Sequence, residues 1–182
     1  MEIKKDCKMS YTVEDVKAMK GVCAELINGE LVIKQGTTIT HNKIVRNLYR
    51  QLENYINAHN GKCEVFTENV DLFCYEMADE CSQEYYEPDV MVVCNRDESL
   101  DDGIHVPPLF VAEVTSPSTK RFDYSAKLKT YMTIGVEEYW VIDIEKSAVI
   151  KYVKANDYAP EIMKDMNRLV VSVYAGLNIS LI

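Results

Sequence analysis

Apolar and polar positions change their period several times along the chain, and each change marks an element. Thr12 followed by Asp15 has the form of a helix N-cap with an acidic first turn, predicting a short helix to about Met19. In VCAELINGELVIK two strand-like runs flank Asn28-Gly29, a dipeptide suited to a tight hairpin turn, and Glu25 lies on the first of them. Ile44, Val45, Leu48, Leu52, Tyr55 and Ile56 then recur on one face of a long helix. Thr40 is its expected cap, His41 falls in its first turn, and Asn60-Gly61 ends it.

The period then shortens. KCEVFTENVDLFC alternates as one strand. The acidic loop EYYEP leads into PDVMVVC, a continuous apolar run of the kind found in a strand covered on both faces. Leu109 to Thr115 is a run of strand-formers with Glu113 in its middle. A helix is expected from about Asp123 to Ile134, stopped by Gly135. EEYWVID and AVIKYV form two more strands, and RLVVSVYAGLNISLI is strand-like with a turn at Ala175-Gly176. This order predicts an α/β (α+β) mixed sheet flanked by helices, and no linker or repeat divides residues 1–182 into more than one domain.

Composition narrows the class. Hydrophobic residues make up 47% and charged residues 27%, ordinary values for a globular protein. No apolar run approaches the roughly 20 residues that span a bilayer. The N-terminal lysines have no apolar segment behind them, so the expectation is a cytoplasmic protein without membrane association. None of the six cysteines forms a C-x-x-C pair, and Cys23, Cys63 and Cys94 sit in apolar strand-like runs. Reduced, structural thiols are therefore expected over a metal knuckle or disulfides.

A net charge of −9 argues against nucleic-acid binding by bulk attraction, although local basic faces remain compatible with it. The clusters Lys120, Arg121, Lys127, Lys129 and Lys43, Arg46, Arg50 read most simply as solvated helix faces.

Glu113 is the feature that needs a chemical explanation. A carboxylate inside an apolar strand must be paired, neutralised or bound to a metal. Pro88-Asp89 opens the preceding buried strand. If the two strands are neighbours, both carboxylates can face one cleft and offer oxygen ligands to a hard divalent cation. Such an ion polarises a phosphodiester and generates hydroxide at neutral pH, and a nearby ammonium favours the charge that builds up on the phosphorus centre.

Pro88-Asp89, Glu113-Val114-x-Ser116-Pro117-Ser118-Thr119, Asp123-x-x-x-Lys127-x-x-x-Tyr131 and Gly135-Val136-x-Glu138-Tyr139-Trp140 together resemble the Uma-two family of restriction-endonuclease-like domains. AELINGELV and the following His41 match that family's N-terminal pattern, in which Glu25, Gly29 and His41 occupy the recurring places. The resemblance runs from about residue 11 to the C-terminus. It places the chain in the PD-(D/E)-x-K nuclease superfamily and implies a restriction-endonuclease-like core with Mg²⁺- or Mn²⁺-dependent cleavage of DNA. Asp89 and Glu113 would be the metal ligands, and Glu25 an extra acidic residue of the catalytic set. The superfamily lysine normally lies two residues after the second acid, where this chain has Thr115. The resemblance therefore moves that role to Lys127 on the next helix.

Each residue also has a plainer reading. Asp89 suits a Pro-Asp turn, Lys127 an i,i+4 surface pair with Asp123, Tyr131 packing, Glu25 a solvent-facing hairpin position, and His41 a surface or capping role as well as that of a base. The hydroxyls of Ser116, Ser118 and Thr119 are turn groups, since no nucleophile elbow surrounds them. Trp140 reads as core and Asp143 as a turn residue. A non-catalytic module that binds nucleic acid or protein with this fold is the alternative to a nuclease. A two-carboxylate glycosidase is weaker, because a single tryptophan gives little sign of a sugar-stacking cleft. Cutting both strands of a duplex is simplest with two related sites, so a homodimer is expected.

Overall fold

The computed structural model describes residues 11–19, 21–34, 36–79, 83–97 and 100–182; Cys7 and Cys81 lie outside them. The chain opens with α1 (Val13–Lys17), capped by Thr12 in a full capping box with Asp15. The hairpin β1 (Ala24–Ile27) and β2 (Glu30–Ile33) turns on Asn28 and Gly29, both with positive φ, as a two-residue turn of this hand requires. Leu26 exchanges both backbone hydrogen bonds with Tyr85, which ties this hairpin to the segment leading to Asp89.

Helix α2 (Ile39–Ala58) buries Ile44, Val45, Leu48, Leu52 and Ile56, the stripe its period predicts. Its cap is Thr38 rather than Thr40: the Thr38 hydroxyl accepts from the backbone N–H of His41 at 3.2 Å.

The main sheet holds β3 (Glu64–Thr67), β4 (Val90–Val93), β5 (Phe110–Val114), β6 (Glu138–Asp143), β7 (Ala148–Val153) and β8 (Glu161–Met163), adjacent in that order. All pairs are antiparallel except β5–β6, whose connection carries α3 (Lys120–Asp123) and α4 (Ala126–Ile134). The expected single helix from Asp123 is thus two, separated by Ser125 in a non-helical conformation. Gly135 closes α4 in the left-handed region at φ 87°. Strand β3 stops short of the predicted length, and Asn69 just beyond it has φ 68°. The C-terminal run yields only the two-residue strands β9 (Leu169–Val170) and β10 (Asn178–Ile179).

Alternation along the central strands separates two apolar layers. Val90, Val92, Phe110, Ala112, Val114, Trp140 and Ile142 pack with α2 and the C-terminal ribbon. Met91, Val93, Val111, Tyr139 and Val141 face Ile27, Val32, Phe122, Tyr131 and Ile134 from the hairpin, α3 and α4. Trp140 is core, as expected. No helix among the described residues is long and apolar enough to cross a membrane.

The thiol expectation is overturned at one pair. Among the described residues Cys63 and Cys94 form a disulfide, Cys23 is exposed and Cys74 is a buried free thiol. The cause is register: Glu64 pairs with Val93, so the flanking cysteines face each other across β3–β4 with Cα atoms 4.2 Å apart.

Candidate active site

Sheet register brings the two predicted acids together. Val90 pairs with Ala112, so Asp89 falls opposite Glu113 one step further along, and directly opposed residues project to one face. Both side chains are buried, at 4% and 3% exposure. The backbone N–H of Val114 donates to Asp89 Oδ2 at 2.7 Å, fixing that carboxylate against β5.

Lys127 reaches Glu113 from α4. Its ammonium lies 2.9 Å from both Glu113 Oε1 and Glu25 Oε1 and 3.7 Å from Asp123 Oδ1. The pair with Asp123 therefore exists, but it is buried rather than a surface i,i+4 pair. Tyr131, one turn on, donates its hydroxyl to Glu113 Oε1 at 2.7 Å. Glu25, fully buried on β1, also accepts from the Glu87 backbone N–H at 2.9 Å.

Asp89 carries a second set of partners. His41 Nε2 lies 3.2 Å from Asp89 Oδ2, and His41 Nδ1 is 3.4 Å from Glu68 Oε1. The imidazole is buried between the two carboxylates, and neither Nδ1 nor Glu68 Oε1 has a hydrogen-bond partner. Lys34, just after β2, lies 3.7 Å from Asp89 Oδ1 and donates to the Glu87 carbonyl at 2.6 Å.

Charge dominates this cluster. Six carboxyl groups (Glu25, Glu68, Glu87, Asp89, Glu113, Asp123) meet two lysines and one histidine, so three negative charges are in surplus when every group ionises. Burial pushes Glu113 up to about 8 against the attraction of Lys127, with Asp89 and Glu25 adding repulsion. Burial likewise takes Glu87 up to about 7 and raises Asp123. Asp89 goes the other way: burial opposes its ionisation, but His41, Lys34 and the Val114 amide together hold it below the usual carboxylate range. Burial also opposes the charged forms of Lys127 and His41, and their carboxylate neighbours raise both nonetheless.

The donor set fits a divalent cation. His41, Glu68 and Asp89 each offer a ligand atom within 4.8 Å of the others. Surplus buried negative charge and two partnerless atoms point the same way. Glu113 stands beside this group with one oxygen committed to Lys127 and Tyr131.

Asp89, Glu113, Lys127 and His41 line a cavity of about 240 Å³, shared with Lys34, Thr37, Thr38 and the turn from Thr115 to Lys120. In that turn Ser116 Oγ lies 3.0 Å from both Ser118 Oγ and Thr119 Oγ1, the turn-bonding role expected for these hydroxyls. Lys120 is tied to Asp143 and Glu145 at the rim. Thr115, at the superfamily lysine position, donates its backbone N–H to Ile142 instead.

Of the residues singled out in the sequence, Asp89, Glu113, Lys127 and Glu25 are brought together by the structure. The sequence alone left His41 and Tyr131 open and did not single out Lys34, Glu68 and Glu87. A lysine at a strand end and a glutamate in a loop have no local pattern that separates them from surface residues. Only the unbroken LVIK sequence gave a hint that Lys34 begins beside buried chain.

The chain is similar to known proteins over most of its length. A protein of Synechocystis sp. described only as "Uncharacterized protein sll1609" is 32% identical over 137 residues, covering 74% of this chain and 73% of its own. A crystal structure from Anabaena variabilis, titled as that of "a putative nuclease belonging to DUF820", superposes with a TM-score of 0.68 over 87% of both chains at 17% identity, which establishes a common fold. The family model described as "Putative restriction endonuclease" matches residues 13–181, from the first turn of α1 through the C-terminal ribbon that covers α2. With a family match over nearly the whole described chain and a relative at this identity, the chain belongs to the Uma2 (Uma-two) family of restriction-endonuclease-like proteins.

Proposed function

We propose that this protein is a divalent-metal-dependent endonuclease that hydrolyses phosphodiester bonds in DNA. The observation that carries the reading is the cluster at the cavity: Asp89 and Glu113 opposed on neighbouring strands, with His41 and a buried lysine against them, in a site with surplus negative charge. Family membership supports nuclease chemistry in general; DNA as substrate and Mg²⁺ or Mn²⁺ as the ion are our assignment.

Asp89, with His41 and Glu68, would hold the ion, and Glu113 on the facing strand would turn its second oxygen to it. When bound, it supplies a Lewis acid for the phosphoryl oxygens and lowers the pKa of an attacking water. The protein's own groups do the rest. The Val114 amide fixes the Asp89 carboxylate. Lys127 and Tyr131 hold one oxygen of Glu113, and Lys127 keeps that carboxyl from rising further. Glu25 anchors Lys127 and ties it through the Glu87 amide to the segment that carries Asp89. His41, between Glu68 and Asp89, would offer Nε2 to the ion and carry its proton at Nδ1, which faces Glu68.

A homodimer is the assembly expected for cutting both strands of a duplex, and light scattering on the purified protein tests it. The direct test of function is incubation of supercoiled plasmid with Mg²⁺ or Mn²⁺. Nicking or linearisation is expected for the wild type and should fall at least about 100-fold in Asp89→Ala and Glu113→Gln, the scale lost with an essential electrostatic group. Undiminished cutting by either variant would remove the mechanism. A wild type that binds duplex without cutting it under any divalent ion would favour a non-catalytic binding module.

A further inference from the structure

Resting on the nuclease reading, we propose that Lys34, rather than the enclosed Lys127, meets a phosphate oxygen of the nucleic-acid backbone.

The two lysines share a cavity wall but not a situation. Lys127 is 1% exposed, and its ammonium sits against three carboxylates. An ammonium has three N–H donors, so little donor capacity is left for a substrate. Breaking that set to reach a phosphate would strand the Glu25 and Glu113 carboxylates, which share it in the interior.

Lys34 has donors to give. The one hydrogen bond of its ammonium among the described residues goes to the Glu87 carbonyl, and the nearest carboxylate oxygen, on Asp89, is 3.7 Å away, beyond hydrogen-bond range. The side chain retains 14% exposure, at a cavity that Asp89 also lines. Thr37 and Ser118 add hydroxyls to the same wall. Carboxylates in this cluster repel a phosphodiester, so a wall cation beside Asp89 is the group through which an anionic backbone can approach. Lys34 also stands outside the spacing by which a superfamily lysine is sought, being 55 residues before Asp89 rather than after Glu113.

Salt dependence of binding separates this proposal from a structural role. Fluorescence anisotropy of a short fluorescein-labelled DNA duplex, with Ca²⁺ to suppress cutting, gives the slope of log affinity against log salt. Loss of one phosphate contact flattens that slope by about 0.9. Lys34→Met is expected to flatten it by that amount and to weaken binding, whereas Lys34→Arg, which keeps the charge, should retain the wild-type slope. Circular dichroism melting accompanies both variants, and if Lys34→Met fails to fold, the fully neutral but smaller Lys34→Gln replaces it. A neutral variant with an unchanged slope overturns the proposal while leaving the nuclease reading intact. A wild type that neither binds nor cuts duplex DNA ends both, and is recognised before any variant is compared.

Discussion

Replacing Lys127 with methionine tests whether the buried ammonium is what allows Glu25, Glu113 and Asp123 to share the interior. Methionine fills similar space and removes only the charge and its donors. The ammonium lies 2.9 Å from two of these carboxylates and 3.7 Å from the third, with all four side chains essentially inaccessible. Removing one partner of a buried charge set costs about 3–5 kcal/mol, because the remaining charges stay uncompensated. For a chain of this size each kcal/mol moves the melting temperature by about 2–4 °C, so Lys127→Met should melt about 6–20 °C lower in metal-free buffer.

The sign of the pH dependence is also fixed. Glu113 is already raised to about 8 by burial, and Lys127 is the strongest influence holding it down. Without Lys127 its folded-state value rises further above the unfolded value of about 4.3, so the native state of the variant binds more protons than the wild type does. Stability from a raised carboxyl is fully present below the unfolded pKa and is lost as pH rises through the folded one. The deficit of Lys127→Met relative to wild type should thus be small near pH 5 and largest above pH 8. Urea denaturation followed by circular dichroism at both pH values measures it. A deficit under about 1 kcal/mol at high pH, the scale of an exposed ion pair, would refute the claim that this ammonium compensates the acid cluster.

Divalent ions should stabilise the wild type, since they bind a site that the unfolded chain lacks: about 2.7 kcal/mol at a hundredfold excess over Kd, or about 5–11 °C by scanning calorimetry. Asp89→Ala should lose that increment, and a full shift in this variant would move the ion elsewhere. Glu138→Ala removes the acceptor for Trp140 Nε1 and for the Ser172 and Val173 amides, held at 2.7, 2.7 and 2.9 Å. With three donors stranded it should destabilise by at least about 3 kcal/mol in urea, yet keep its metal-induced shift. Reducing Cys63–Cys94 opens a covalent link across a sequence separation of 31 and should cost about 3–4 kcal/mol by the chain-entropy relation, checked by melting the Cys63→Ser, Cys94→Ser double variant.

Most of the secondary structure was legible because it follows from local period. The stripe Ile44–Val45–Leu48–Leu52–Ile56 marks α2, and the fully buried run Val90–Val93 marks a central strand. What was not legible depends on pairing between distant segments. The disulfide follows from the β3–β4 register, the His41–Asp89 contact from packing the start of α2 beside β4, and the Lys34–Asp89 approach from docking the hairpin through Leu26 and Tyr85. Helix boundaries slipped where side chains compete for the cap, as Thr38 and Thr40 do.

The acid that drew attention in the sequence has an instructive counterpart. Glu113 and Glu138 are both buried carboxylates in apolar strands that run parallel to one another, and by local pattern they pose the same problem. Trp140 lies on the opposite layer from Tyr139 and Val141, and Glu138 turns toward it and toward two amides of the C-terminal segment. Those neutral donors satisfy both of its oxygens and make it a clamp. Glu113 lies on the other layer, opposite Asp89, where its partners are an ammonium and a tyrosine hydroxyl and where the cavity opens. A buried carboxylate in a strand therefore announces only that it has partners. Strand parity decides which layer it enters, and register decides whether a second acid waits there; at Glu113 both conditions hold, and at Glu138 the partners are neutral.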